Sequence, residues 1–230
     1  ANRISTVDPN RKLPSFVKVK RQHHIVYGRR EPVNEEYWTK FCKRMSGWLA
    51  TLPHISSSWI EFDAEQLTKV FVNTEGSVIV QHHKVFSITA QISKLTKEGS
   101  TVEQELVITC ATQDELPDVR KFKQLALKKH QQLMRLYKAR TIHSFSGPVL
   151  LYPLPAGLLF HEAIGHRLEG CRLLAAGEGQ TFKGQVGKRV FNIPISIYDN
   201  PRLRRFKGTR CIGSYDFYDE GTPPRSAELV

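Results

Sequence analysis

Between Lys84 and Lys94 the segment KVFSITAQISK alternates without a break, with Phe86, Ile88, Ala90 and Ile92 on one side and Ser87, Thr89, Gln91 and Ser93 on the other. Successive strand side chains point to opposite faces, so the run reads as a β-strand with one dry and one wet face. Such a strand needs partners for its backbone and a cover for its apolar side. The neighbouring sequence offers partners. SWIEFDAEQ leads into LTKVFVNTEG, where Asn73 to Gly76 can turn; KEGS can turn again, and TVEQELVITCAT is a further strand. These runs predict a four-stranded antiparallel meander with one wet face. His82 and His83 precede the alternating strand. As adjacent strand residues they would face opposite ways and make poor joint ligands.

Helices supply the cover. Tyr37, Trp38, Phe41, Met45, Trp48, Leu49 and Leu52 recur at threes and fours, the period of an amphipathic helix. Asn34 can cap its start, Glu35 and Glu36 suit the positive end of its dipole, and Pro53 stops it. LPDVRKFKQLALKKHQQLMRLYKAR predicts a long basic helix packed across the sheet, with Val119, Phe122, Ala126, Leu133, Leu136 and Tyr137 as its apolar stripe. TIHSFSGP is the best internal break. After it VLLYP reads as a short strand, PAGLLFHEAIGHRLEG as a helix, and VFNIPISIYD as a buried strand within a glycine-rich stretch. The chain is α+β, an antiparallel sheet with packed long helices followed by the start of another domain. The expected divisions are an irregular basic arm (1–33), a helix-and-sheet domain (34–145) and the second domain (146–230).

Composition narrows the functional classes. A chain of 230 residues, 40% apolar, can bury a core. No apolar run approaches the roughly 20 residues that span a bilayer. There is no signal-peptide pattern, and the start at Ala1 and the ending DEGTPPRSAELV both read as truncations. Cys42, Cys110, Cys171 and Cys211 lie far apart, which fits reduced thiols and a cytoplasmic setting better than a disulfide framework; Cys171 and Cys211 stay open as metal ligands. The net charge of +12 could serve nucleic acid or an acidic partner, but it is dispersed, and no RNP, zinc-finger or helix-turn-helix signature accompanies it. A solvated face, or the complement of an acidic subunit, is the plainer reading.

The chemistry concentrates in LLFHEAIGHRLEG. His161 and His166 are five apart, whereas the familiar zinc-protease helix places its histidines four apart. At about 100° per residue, a four-residue step leaves two side chains about 40° apart and a five-residue step about 140° apart. An undistorted helix therefore cannot focus His161 and His166 on one ion. The motif requires local unwinding or a π-bulge, and Gly165 is the residue best able to absorb it. Given that distortion, the histidines would bind metal as neutral imidazoles, and Glu162 would take the proton from a metal-bound water and pass it to the leaving amine. Glu169, one turn beyond His166, could be a third ligand or a carboxylate orienting a histidine. From spacing alone, two structural histidines satisfied by backbone carbonyls fit equally well.

SGPVLLYPLPAGLLFHEAIGHRLEG resembles the signature of the TldD/PmbA metallopeptidase family, once described as modulators of DNA gyrase. VFVNTEG and GKRVFNIPISIYDNPRL…GSYDFYDEGTPPR are similar to flanking elements of that family, so the resemblance covers most of residues 57 to 225. It implies that the second domain is the start of a metallopeptidase domain. It further implies a peptidase of unfolded or small peptides with zinc as cofactor, His161 and His166 as ligands and Glu162 as general base. The family's members often pair as homo- or heterodimers, with the active site enclosed between subunits. Its third ligand is typically a cysteine in a downstream β-rich region, which these residues do not include, and Cys171 stands where relatives commonly have Asp. Two other readings remain: a partner subunit that kept the fold without catalysis, and a basic protein binding nucleic acid or an acidic partner. Retention of His161, Glu162 and His166 weighs against the first.

Overall fold

The structure, a computed structural model, describes residues 18–170, 172 and 180–229. Its centre is β3 (Val78–Leu95), which pairs antiparallel along one edge with β2 (Ser57–Val72). On its other edge β3 takes two partners in succession: β4 (Thr101–Cys110) antiparallel at Phe86 to Leu95, and β1 (His23–Ile25) parallel at Val78 to Val80. The meander therefore has three strands, because SWIEFDAEQ and LTKVFV form one continuous strand. His82 and His83 lie inside β3. Within residues 1–33, expected to be an irregular basic arm, His23–Ile25 form the short strand β1. Ile25, Val26 and Tyr27 are good strand formers. Their ladder continues through Val78 N–H to the Gln22 carbonyl at 2.9 Å and Val26 N–H to the Val80 carbonyl at 3.0 Å.

Phe86, Ile88, Ala90 and Ile92 form the buried face of β3, as the alternation requires. Two helices cover it, α1 (Glu35–Leu49) and α2 (Val119–Lys138). The Asn34 side chain accepts from Tyr37 N–H at 2.9 Å, and Asp118 accepts from Lys121 N–H at 2.7 Å, so each helix begins on a side-chain cap. α1 buries Trp38, Phe41, Met45 and Leu49, while α2 buries Phe122, Ala126 and Leu133. Trp38 stacks on Phe62 with ring centres 4.3 Å apart, and Phe41 meets Phe122 edge-on at 5.6 Å. The apolar stripes are narrower than their sequence period implied. Tyr37 and Leu136 face solvent, and Tyr137 carries Lys94 Nζ 4.4 Å from its ring centre.

Glu31 fastens the first segment to this unit. One carboxylate oxygen accepts from the backbone N–H and side-chain amide of Gln113 at 3.0 and 3.1 Å; the other accepts from Lys84 Nζ at 3.0 Å. Burial raises its pKa, but donation from the Gln113 backbone, Lys84 and the Gln113 side chain outweighs that and holds it below the ordinary carboxylate value. A lowered folded-state value makes this contribution complete above the unfolded pKa of about 4.3 and lost as pH falls through the folded value. Glu31→Gln is expected to cost about 1–2 kcal/mol in urea unfolding at pH 7, with the difference from wild type vanishing in strong acid. An equal difference at both pH values would contradict this assignment.

Two predicted strands do not form as written. Residues 148–152 have no regular structure, and Val149, Leu150 and Tyr152 are exposed; no strand lies beside them among the described residues. In VFNIPISIYD, Pro194 removes one backbone donor, and only β5 (Tyr198–Asp199) is a strand, paired with β8 (Ala227–Glu228). Between them β6 (Arg205–Phe206) and β7 (Thr209–Arg210) make a hairpin through Lys207 and Gly208, both at positive φ.

The chain divides into two compact units, one of residues 21–143 with 202–224, the other chiefly of 144–201 with the end of the chain. The first therefore includes a segment written above as part of the second domain. Phe217 N–H donates to Gln81 Oε1 at 3.0 Å, and Phe71 lies so close to Gly221 that a Cβ there would stand 2.2 Å from its ring. Among the described residues no helix is long and apolar enough to cross a membrane.

Candidate metal centre

α3 (Pro153–Phe160) starts on Pro153, whose fixed φ suits a first helical position and whose missing N–H costs nothing there. It does not continue as an α-helix. His161–Gly165 form a single π turn, followed by a 3₁₀ turn at His166–Leu168. The N–H of His166 donates to the His161 carbonyl, a step of five residues, and also to that of Ile164. The distortion demanded by the five-residue spacing is present, on the residues that demand it. Ile164, within the turn, is buried.

Gly165 contributes differently from what its position suggested. It holds ordinary right-handed helical angles, φ −53° and ψ −61°, and a Cβ there would meet only the Phe160 carbonyl at 3.9 Å. The π turn therefore has room for a side chain, and glycine does no more than weaken the commitment to α-helix, by about 1 kcal/mol. Gly165→Ala is expected to leave metal affinity unchanged and to move stability by no more than about 1 kcal/mol. Loss of metal binding in this variant, measured by chelator competition, would show that the turn needs its glycine.

The turn brings the two imidazoles together. Their ring centres are 4.5 Å apart at 77°, and potential ligand atoms of His161, Glu162 and His166 all lie within 4.8 Å of one another. Two atoms each about 2.0–2.1 Å from a zinc ion lie at most about 4.2 Å apart, so the group is slightly wider than a bound ion would hold it. The donor set of two imidazoles and a carboxylate suits a borderline metal ion such as zinc. Glu162 Oε1 stands 4.0 Å from His161 Nε2, and both side chains are well exposed.

Glu169 sits behind His166. Its Oε1 lies 2.6 Å from His166 Nδ1, while Oε2 accepts from Arg172 Nε at 3.1 Å. The His166 hydrogen bond holds the Glu169 carboxyl below its ordinary pKa; desolvation opposes it, and Arg172 adds to the lowering. Arg172 escaped the reading of the sequence, although its position three residues after Glu169, with opposite charge, was a visible cue. Cys171 lies outside the described residues. Cys211 is a free thiol in the sheet-containing unit and is not part of the converging group. Cys42 and Cys110 are also free, and burial pushes both thiols up, as inert structural cysteines require. Asp219 pairs with Lys69 at 2.5 Å, and Tyr198 donates to Glu228 at 3.2 Å.

In class, then, this is an α+β chain whose π turn presents a histidine–glutamate–histidine group with the chemistry of a metal half-site. Residues 144–230 match the family model of the PmbA/TldA metallopeptidase C-terminal domain, and the resemblance to the TldD/PmbA family holds. Similar proteins include a metalloprotease of Methanocaldococcus jannaschii, 29% identical over 106 residues, covering 46% of this chain and 22% of the relative. A metalloprotease of Methanothermobacter thermautotrophicus is 24% identical over 182 residues, covering 79% of this chain and 37% of its own length. The chain thus spans little more than a third of these relatives at most. A solved structure from Thermotoga maritima, assigned as a candidate modulator of DNA gyrase, superposes with a TM-score of 0.66 at 16% identity, covering 93% of this chain and 48% of that one. One with the same assignment from Bacteroides thetaiotaomicron gives 0.63 at 13% identity, covering 89% and 47%. The superpositions establish a shared α+β fold, and the two sequence relatives are named metalloproteases.

Proposed function

We propose that the complete protein is a zinc-dependent peptidase of the TldD/PmbA type, hydrolysing unfolded or small peptides. The observation that carries this reading is the π turn, which turns an unworkable five-residue spacing into a converging His161–Glu162–His166 group. His161 and His166 would hold the ion as neutral imidazoles. When bound, zinc supplies Lewis acidity and lowers the pKa of a coordinated water to about 7. Glu162, exposed and beside both histidines, accepts a proton on its carboxylate from the attacking water and delivers it to the leaving amine. Glu169 holds His166 rather than competing for the ion. The third protein ligand, by the family resemblance, is a cysteine of a C-terminal β-rich region. The same resemblance favours action as a homo- or heterodimer with a family member. Zinc content and peptide cleavage, measured together in the complete protein and in Glu162→Gln, test the reading. Metal without turnover is expected in the variant, and undiminished turnover would remove Glu162 from the reaction.

A further inference from the structure

We infer that Arg172 is a positioning residue for the metal site, acting through Glu169 to fix the ring nitrogen that His166 offers. The inference rests on the reading of His166 as a ligand. Three side chains stand in series: Arg172 Nε to Glu169 Oε2 at 3.1 Å, and Glu169 Oε1 to His166 Nδ1 at 2.6 Å. An ionised carboxylate can only accept, so the proton of a neutral His166 must sit on Nδ1, which leaves the Nε2 lone pair for an ion. The opposite tautomer would set two lone pairs against each other. A carboxylate held by one hydrogen bond on an exposed side chain would still rotate. Arg172 occupies its second oxygen and fixes the plane in which the first meets the imidazole. The backbone closes the same turn, since Arg172 N–H donates to the Glu169 carbonyl at 3.0 Å and brings the guanidinium back over the carboxylate. With both oxygens engaged, Glu169 is set as a support for His166 and withdrawn from the place of third ligand.

Outer partners of this kind typically change metal affinity 10- to 100-fold when removed. Arg172→Ala in the complete protein should therefore weaken zinc binding about 10- to 100-fold in chelator competition. Arg172→Lys, which keeps the charge but loses the planar donor, should recover only part of it. The second readout is ¹⁵N NMR of the imidazoles in the metal-free protein. Wild type should show His166 with its proton on Nδ1, and Arg172→Ala a mixture of tautomers. A folded Arg172→Ala protein with unchanged affinity and an unchanged tautomer overturns the inference. If the alanine variant does not fold, the lysine variant decides: an affinity and a tautomer population both shifted part of the way from wild type support the relay, whereas wild-type values of both, or reduced affinity with the Nδ1 proton unmoved, overturn it. The outcomes stay separate from the peptidase reading. A protein that binds zinc through this relay without cleaving peptides defeats that reading alone; one that cleaves peptides indifferently to Arg172 defeats this inference alone.

Discussion

Replacing Glu162 by Gln in the complete protein is expected to reduce peptide cleavage by about 10²–10⁴-fold, the usual contribution of a positioned general base. The substitution keeps the side chain's size and its hydrogen-bonding oxygen, so the π turn and the histidine pair should persist. It removes the one property the proposed reaction asks of this residue, a carboxylate that can take up a proton and give it back. Metal content should therefore remain that of wild type. The fall should appear in kcat more than in KM, because peptide binding does not depend on this proton. A variant that loses metal along with activity would mean that Glu162 acts as a ligand, which its position within the converging group makes the natural rival role.

The second large effect lies in the core. Phe122→Ala is expected to destabilise the sheet-containing unit by about 3–5 kcal/mol, with a fall in Tm on the order of 10 °C. Phe122 is completely buried on α2 and meets Phe41 of α1 edge-on, so it is the ring through which the two helices hold each other over the sheet. Truncation leaves a cavity in a core cluster that includes Phe86 and Ile88, which are themselves fully buried and lie on a strand hydrogen-bonded on both edges, so collapse to fill it is limited. A loss under 1 kcal/mol in thermal or urea unfolding would contradict this packing.

What the sequence disclosed followed from how local each pattern is. Period-two alternation at Phe86 to Ser93, three-four spacing from Trp38 to Leu49, and the cap at Asn34 each depend on residues within one or two turns, and all appear in the fold. The need for a distorted helix at His161–His166 was legible for the same reason, since the angle between two helical side chains depends on their spacing alone. Partnership between distant segments was not. Nothing local in HHI announces a parallel pairing with Val78 to Val80, more than fifty residues away, and nothing local in VLLYP announces that it pairs with no strand among the described residues. Residues 202–224 likewise join the sheet through Gln81 and Phe71, partners that only the folded chain supplies. The role of Gly165 was overread: the identity of a glycine gives freedom, and the backbone at that position uses none of it.

The bond from His166 N–H to the His161 carbonyl has a consequence for kinship among metal-binding helices. A π turn is what an α-helix becomes when it takes in one more residue without swinging the segments on either side. Five residues here complete a circuit that four complete elsewhere. H-E-x-x-x-H closed by a π turn and H-E-x-x-H on an α-helix can then both set two histidines about one turn apart. A sequence comparison that counts positions sees two unrelated motifs; a comparison that follows the hydrogen bonds sees one.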